Sequence, residues 1–392
     1  MRRVYLDNAA TTRVAPEVVE VVVAYMQDKY GNPSSVHEFG RTVRRSLQTA
    51  RQQVAELINA NCPGEIYFTG SGTEADNLAI KGIVLNGEGK RHIITSAVEH
   101  HAILHTCEDL EENHGCRVTY LPVNGYGMVD PASVREAIAD DTALVSIMYA
   151  NNEVGTIQPI REIAAICREK GVLMHTDAVQ GVGQLPIDVQ ADGVDMLTLS
   201  AHKIYGPKGV GALYVRSGVK IRPIIHGGGQ ERGLRSGTEG IPAIMGLGKA
   251  AELARLRLPE YGERLTRLRD RLITGLLERV PYSCLNGHPV KRLPANANIS
   301  FSSVEGEALL LDLDLHGIAA SSGSACSSGS EAPSHVLTAM GVSVEEARGS
   351  VRLTLGLETS AEDIDYTIDT LAAVVERLRA FSPLGEKGAQ HV

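Results

Sequence analysis

The sequence has no apolar run long enough to cross a membrane, no CxxC pair and no excess of basic residues. Its start, MRRVYLDNAATT, also lacks the apolar stretch of a signal peptide, so we expect a cytosolic, cytoplasmic protein. The net charge of -9 argues against nucleic acid or an anionic membrane as the main partner. These absences leave small molecules and other proteins as the expected partners.

The cysteines are few and widely spaced. The six are Cys62, Cys107, Cys116, Cys167, Cys284 and Cys326. This spacing predicts neither a disulfide framework nor a metal site. Five of them lie in periodic or mixed segments and are interpreted as small buried apolar residues. Cys326 differs, because the surrounding SSGSACSSGS (321–330) offers almost nothing to bury.

What the chain does have is a regular alternation of helical and strand patterns. Helical periodicity covers about 16–27 and 41–58, and short runs rich in β-branched residues predict strands at 65–69, 92–96, 117–121, 143–149, 172–177 and 195–200. The spacing between most runs suits a crossover helix. The pattern predicts an α/β fold with a mainly parallel sheet, helices on both faces, and ligands at the carboxyl ends of its strands.

The pattern changes near residue 257. A charged helical stretch (258–280) leads into the strand-like ANISFS, a helix from Glu305, the serine-rich strip, the strand-like SVRLTL and a last helix from about Ser360. We therefore predict a large domain at 16–257 and a smaller α+β domain made of 1–15 and 258–392. The sequence alone leaves the N-terminal strand free to join either part.

Lys203 lies in SAHKIYGPKGVG (200–211), directly after an apolar strand and before a glycine-rich turn. An isolated lysine at a strand end is usually a surface residue. In a cleft, however, its amine can form a Schiff base with a carbonyl group. The motif by itself leaves both interpretations open.

Asp177 and Gln180 lie in VLMHTDAVQ (172–180), at and just after the end of a predicted strand. A pyridoxal cofactor needs a carboxylate beside its ring nitrogen, and Asp177 suits that role. Gln180 could donate a hydrogen bond to the ring oxygen. The alternative for Asp177 is an ordinary helix N-cap.

The stretch FTGSGTEADN (68–77) predicts a strand, a glycine turn and a helix that begins near Thr73. The free N–H groups of such a helix start bind anions, and a cofactor phosphate would fit there with Ser200 and His202 as further donors. The spacing matches neither the P-loop nor the dinucleotide fingerprint. The alternative is a capped helix without a ligand.

Histidines follow the predicted strand at 92–96. Adjacent His100 and His101 point in different directions on a helix, and His101 and His105 have metal-ligand spacing without a third ligand, so no metal is predicted. His100 could stack on a flat cofactor ring, or it could be a partly exposed residue at a helix start. Further along, GGGQERGLRSGTEGIP (227–242) offers Arg232, Arg235 and Thr238 for an anion, with a surface hairpin as the alternative.

Together these stretches resemble the NifS/IscS-type cysteine desulfurases, pyridoxal-phosphate enzymes of the aminotransferase class V family with fold type I. The resemblance implies a large sheet of the seven-stranded type. It runs in order over nearly the whole chain, through YLDNAATT, YGNPSSVHEFG, FTGSGTEADN, NNEVGTIQP, HTDAVQ, SAHKIYGPKGVG, GGGQERGLRSGTE, SSGSACSSGS and SVRLTLG.

The resemblance implies a role for each candidate residue. Around the cofactor ring, Lys203 forms the Schiff base, Asp177 pairs with the pyridine nitrogen, Gln180 contacts the ring oxygen and His100 stacks on the ring. The phosphate is implied to bind Gly72, Thr73, Ser200 and His202, with Thr238 coming from the partner subunit of a homodimer. Asn152 and Arg352 are implied to bind the substrate carboxylate, which a guanidinium can contact through two hydrogen bonds.

The implied reaction converts L-cysteine to L-alanine and leaves a persulfide on Cys326. Lys203 moves the Cα proton, and His100 is a candidate acid or base. The small residues around Cys326 suit a strip that moves between the cofactor and an acceptor, which is an iron–sulfur scaffold or another sulfur-acceptor protein.

Two other functions remain open from the sequence. Another class V enzyme, such as a selenocysteine lyase or a lyase that releases sulfide, would need the same Lys203 and Asp177. A non-enzymatic assembly protein could bind iron through its cysteines, although their wide spacing argues against this. The polar tail after SPL departs from the scaffold-contacting end of some relatives, so a frayed terminus is the simpler interpretation.

Overall fold

The computed structural model describes residues 2–86, 89–322 and 333–381. Twelve α-helices lie within these ranges, and we number them in chain order. They are α1 (Pro16–Gln27), α2 (Glu38–Leu57), α3 (Gly72–Val84), α4 (His101–His114), α5 (Pro131–Ala137), α6 (Ile160–Lys170), α7 (Val189–Asp192), α8 (Ile241–Arg279), α9 (Gly306–Leu315), α10 (His335–Ala339), α11 (Val344–Arg348) and α12 (Ala361–Phe381).

The same part of the chain contains twelve β-strands. They are β1 (Val4–Tyr5), β2 (Ile66–Thr69), β3 (His92–Ser96), β4 (Arg117–Leu121), β5 (Thr142–Ser146), β6 (Leu173–Asp177), β7 (Met196–Ser200), β8 (Gly211–Val215), β9 (Ser283–Leu285), β10 (Asn296–Phe301), β11 (Ile318–Ala319) and β12 (Ser350–Thr354).

Seven strands form the large sheet, in the order β2-β8-β7-β6-β5-β3-β4. All neighbours pair in parallel except β8, which is antiparallel to both β2 and β7. The predicted α/β fold with a mainly parallel seven-stranded sheet is therefore confirmed. Strand β8 was not predicted. Its residues GALYV are apolar and fully buried, but no α-helix separates β7 from β8, so the alternation of strands and helices gave no signal there.

Helix α8 differs from the prediction, because it begins at Ile241 rather than near 258 and continues through Pro259. Its first part is buried at Ile244, Leu247 and Ala251, the spacing of one helix face, and packs on α1 and α2. Gly248 lies so close to α2 that a Cβ there would come within 2.7 Å of Ala50 Cα. This packing outweighs the backbone hydrogen bond that a proline removes.

The remaining strands form two small sheets. Antiparallel β12-β10-β9 and the parallel pair β1-β11 lie outside the large sheet, and the apolar residues around them form a cluster with the second part of α8 and with α12. Val4 and Leu6 belong to this cluster, so the N-terminal strand packs with the C-terminal region. The division at 258 stays a prediction, and α8 runs through that boundary.

The cysteines follow the prediction only in part. Cys107, Cys116 and Cys167 are buried, but Cys62 is half-buried and Cys284 is exposed on β9. The interpretation of Cys284 as a buried residue was wrong, because β9 lies at the edge of its sheet. In the described ranges, no helix is both long and apolar enough to span a membrane, and no three His, Cys, Asp or Glu side chains are grouped to hold a metal ion.

Candidate active site

The candidate site lies at the carboxyl ends of β6 and β7, which are parallel neighbours. Strand β6 ends at Asp177 and β7 ends at Ser200, and Lys203 follows in a short 3₁₀ turn. Ser200 and Lys203 are 23 and 26 positions away from Asp177 in the sequence but lie at the same edge of the sheet. This is the edge where open α/β sheets bind ligands.

The amine of Lys203 is held by the N-terminal segment. Its Nζ donates hydrogen bonds to the carbonyl oxygens of Ala9 and, at 2.9 Å, of Ala10. The Gln180 side chain donates to the same Ala9 oxygen at 3.0 Å. The sequence analysis missed this use of NAATT (8–12), a run of small residues shortly after β1 that it noted only as part of the motif YLDNAATT.

Asp177 is 6% exposed, and its Oδ1 accepts a hydrogen bond from the backbone N–H of Val179 at 2.9 Å. Burial raises the pKa of this carboxyl, while the Val179 N–H and the charge of Lys203 lower it. The side chain thus caps a turn, and none of the described helices begins there.

A second buried carboxyl, Asp76 of α3, was missed by the sequence analysis. Burial and the charge of Asp177 raise the pKa of Asp76 well above its usual value. Its Oδ1 lies 3.7 Å from Nε2 of His175. Burial lowers the pKa of His175 to about 3. Two buried carboxylates do not both ionise at low cost, so we assign the negative charge to Asp177, which lies near the cationic Lys203.

The first turn of α3 lies against Ser200. A Cβ added at Gly72 would come within 3.0 Å of Val179 Cγ2 and 3.4 Å of Ser200 Cβ, so glycine allows a close approach here. Ser71 caps the helix by accepting the N–H of Glu74, and Thr73 is exposed at the helix start. The turn can therefore offer N–H groups and hydroxyls to an anion.

Arg235 was a candidate anion binder, but its Nε donates to Oε1 of Glu74 at 2.7 Å. This ion pair offsets the acidic residue in the first turn of α3, which would otherwise repel an anion. Arg232 contacts the ring of Tyr67 and the carbonyl oxygen of Ile66. Both arginines therefore support the fold around the site.

His100 is the N-cap of α4, and its Nδ1 accepts the backbone N–H of Ala102 at 3.1 Å. Burial and the charge of Lys203 lower the pKa of His100 to about 4. The ring is therefore neutral near pH 7, with its proton on Nε2. His202 lies beside Thr11, and burial and Lys203 lower its pKa to about 4 as well.

Arg352 and Asn152, the predicted carboxylate site, lie together. Arg352 is 3% exposed; its Nη1 donates to the backbone oxygen of Asn152 and its Nη2 to Oδ1 of Asp7, both at 3.1 Å. Its Nε is buried without a hydrogen-bond partner among the described residues. Asp7 was not predicted, and the structure shows that it offsets the charge of this buried guanidinium.

Two predicted residues are not brought into this group. Thr238 is exposed in the segment before α8. Cys326 lies outside the described residues, but the chain before it pairs with the site: Ser321 and Arg352 exchange two backbone hydrogen bonds of 2.7 and 3.2 Å. The start of the cysteine-bearing segment is therefore attached to the strand that carries Arg352.

The residues present fit pyridoxal phosphate. A buried carboxylate beside a lysine suits the ring nitrogen and the aldehyde, the glycine-lined start of α3 suits a phosphate, and the neutral His100 ring suits a flat partner. Lys203 lies close enough to Asp177 and His100 to lower the pKa of both. These groups therefore form one site.

Comparisons with known proteins find a matching family and similar chains. Residues 4–367 match the aminotransferase class-V family. The chain is 54% identical over 387 residues to the cysteine desulfurase IscS of Methanosarcina thermophila, covering 98% of this chain and 95% of that one. It is 53% identical to the cysteine desulfurase IscS of Dictyoglomus turgidum, with 97% of each chain covered.

Solved structures are also similar. A NifS-like protein matches with a TM-score of 0.90 and 39% identity, over 96% of this chain and all of that one. The structure described as SspA in complex with cysteine matches with a TM-score of 0.80 and 39% identity, over 90% of this chain and 98% of that one.

Proposed function

The chain belongs to the aminotransferase class-V family and, within it, to the cysteine desulfurases, and from that premise we propose a mechanism in which Lys203, Asp177 and Cys326 are the essential residues. In this mechanism the chain binds pyridoxal 5'-phosphate, converts L-cysteine to L-alanine and forms a persulfide on Cys326. The observation that carries the proposal is that Lys203 follows β7 at the sheet edge where the neighbouring β6 ends at Asp177, and that its amine shares the Ala9 carbonyl oxygen with Gln180.

When bound, pyridoxal phosphate supplies an aldehyde for amine exchange and a ring that takes up electron density. Asp177 would face the ring nitrogen, Gln180 the ring oxygen and His100 the ring face. Gly72, Thr73, Ser200 and His202 would bind the phosphate. Asn152 and Arg352 would orient the substrate carboxylate, and the contacts of Arg352 with Asp7 and Asn152 fix the guanidinium plane for this purpose.

Lys203 is the group that we assign to moving the substrate Cα proton, because its amine lies at the same edge as Asp177. The carbonyl oxygens of Ala9 and Ala10 would hold the amine in place between proton transfers. His100 is neutral near pH 7 and can therefore accept a proton or donate the one on Nε2.

The sulfur step uses Cys326 as a thiolate. Its sulfur attacks the sulfur of the substrate, an S–S bond forms, and the substrate C–S bond breaks with its electron pair remaining on carbon. Proton uptake at that carbon gives L-alanine. The net change is L-cysteine and a thiol to L-alanine and a persulfide, so no external oxidant is needed.

The persulfide would pass to an acceptor protein for iron–sulfur cluster assembly or another sulfur-containing product. We further propose a homodimer in which the exposed Thr238 of one subunit reaches the phosphate in the other. The cytoplasmic location and the absence of a nucleic-acid partner stay predictions.

The proposal is tested with Cys326→Ala and, as a matched control, Cys284→Ala at the exposed thiol of β9. We expect Cys326→Ala to abolish alanine formation from L-cysteine, and Cys284→Ala to leave it unchanged. Undiminished turnover in Cys326→Ala, with release of free sulfide, would instead favour a C–S lyase. Purified protein with pyridoxal phosphate bound should show a visible absorbance band that borohydride bleaches. If freshly purified protein shows no such band, the non-enzymatic alternative is favoured.

A further inference from the structure

The chain that leaves the cysteine-bearing segment returns to the active site at Ser334 and His335, directly before and at the start of α10. Ser334 Oγ donates a hydrogen bond to Oε2 of Glu153 at 2.5 Å. Nε2 of His335 lies 2.9 Å from the backbone oxygen of Glu99. Each contact therefore reaches a residue next to a predicted site residue, since Glu153 follows Asn152 and Glu99 precedes His100.

These contacts are built into the interior. Ser334, Glu153 and Glu99 are buried, and His335 is half-buried. Because the Glu99 carbonyl only accepts, the neutral His335 ring carries its proton on Nε2. The His335 ring also lies against the His101 ring, with the centroids 4.8 Å apart. The His335 ring is thus held by a directional hydrogen bond and by a ring contact.

Both ends of the cysteine-bearing segment are therefore attached to the site. The Ser321–Arg352 pairing holds the entering chain, and the contacts of Ser334 and His335 hold the leaving chain. Cys326 lies eight positions before Ser334. A chain of that length reaches at most about 28 Å, so an attachment at each end restricts the volume that the thiol can sample.

We propose that His335, supported by the Ser334–Glu153 hydrogen bond, is a positioning residue for the sulfur transfer step. By tying the leaving chain to Glu99, it raises the local concentration of the Cys326 thiol near the substrate. The inference rests on the proposed persulfide mechanism. In this inference His335 does not contact the cofactor. The steps at the cofactor that precede sulfur transfer should therefore not depend on His335.

The test compares two steps in the holoenzyme. L-cysteine is added in a single turnover, the persulfide on Cys326 is trapped by alkylation and measured by mass spectrometry, and the change in cofactor absorbance is recorded in parallel. For His335→Leu we expect persulfide formation to slow about tenfold, the effect of losing one hydrogen bond of ordinary strength. The absorbance change should stay within about twofold of the wild type, and His335→Gln, which keeps a donor, should recover most of the persulfide rate.

The matched control is His105→Leu, since the His105 ring also contacts the His101 ring and is exposed. It should leave both rates unchanged. If His335→Leu does not fold, Glu153→Ala and Glu153→Gln take its place. Slow persulfide formation is expected only for Glu153→Ala, because alanine cannot accept the hydrogen bond from Ser334 whereas glutamine can.

An unchanged persulfide rate in His335→Leu overturns the inference, and so does an equal slowing of both steps, which would mean that His335 acts through His100. Absence of persulfide from the wild type would overturn the proposed function as well. A wild-type persulfide with no effect of His335→Leu would overturn the inference alone.

Discussion

The two halves of the site are built differently. The cofactor half is the set of residues that we propose to hold the cofactor: Lys203, Asp177, His100 and the start of α3. The substrate half is the proposed carboxylate site with its partner: Asp7, Asn152 and Arg352. In the cofactor half every residue ends or follows a strand of the large sheet, whereas the substrate half joins three segments that lie far apart in the chain, one of them in a different sheet.

The difference also appears in the electrostatics. Asp177 is buried at the same sheet edge as Lys203, whose amine would move in the proposed reaction, so the charge around Asp177 would change from step to step. Arg352 is balanced by Asp7 at 3.1 Å, within the protein itself. We infer that the cofactor half controls the chemical steps and that the substrate half controls cysteine binding.

The largest expected effect is that of Lys203→Ala. Removing the amine should reduce alanine formation by about 10⁴-fold or more, because both cofactor attachment and Cα proton transfer would be lost. The measurement is alanine formation from L-cysteine. Lys208→Ala removes an exposed lysine from the same loop and should have no effect, and equal losses in both variants would contradict the assignment.

Asp177→Asn should have the next largest effect. Asparagine keeps the size of the side chain and can still accept the Val179 N–H, but it has no charge for a ring nitrogen. We expect kcat to fall on the order of 10²- to 10³-fold, as for loss of one preorganised electrostatic contact. A kcat within tenfold of the wild type, with cofactor bound, would argue against Asp177 as the ring partner.

Arg352→Lys should separate the two halves. Lysine keeps the charge but lacks the planar pair of donors, so kcat/KM for cysteine should fall about 10- to 100-fold, mainly through KM. The cofactor absorbance should be unchanged. Arg348→Lys, at an exposed position of α11, is the control. A fall in kcat alone would show that Arg352 belongs to the chemical half instead.

The smallest expected effect is a pH dependence of stability in Glu153→Gln. Burial raises the pKa of Glu153 to about 7 from 4.5, while Ser334 and Arg352 oppose the shift. The folded state thus binds more protons than the unfolded state between these values, so the contribution is complete below pH 4.5 and is lost as the pH rises through 7.

Glutamine stays neutral, so the variant should gain stability relative to the wild type between pH 5 and pH 8, by about 1–3 kcal/mol. Thermal unfolding midpoints at the two pH values measure this change. An equal difference between variant and wild type at both values would mean that Glu153 is not held neutral by burial.

The cofactor half could be predicted largely from the sequence. Strands β3, β6 and β7 appear in it as apolar runs, and parallel strands bring their carboxyl ends to one edge, which places His100, Asp177 and Lys203 together. Asp76 and His175 could not be identified in this way. Asp76 lies on a face of α3 and His175 lies inside β6. The role of a buried polar residue at such positions depends on which side chains surround it, and the sequence does not show these neighbours.

The sequence by itself thus determined the fold class and the family and predicted the candidate site residues, because periodicity and short motifs are local properties of the chain. Only the tertiary structure decided that Asp7 offsets the charge of Arg352, that Ala9 and Ala10 hold the Lys203 amine, and that α8 continues through Pro259. These outcomes depend on burial and on contacts between distant segments, since a hydrogen bond or a charge pair acts over a few ångströms of space and not along the chain.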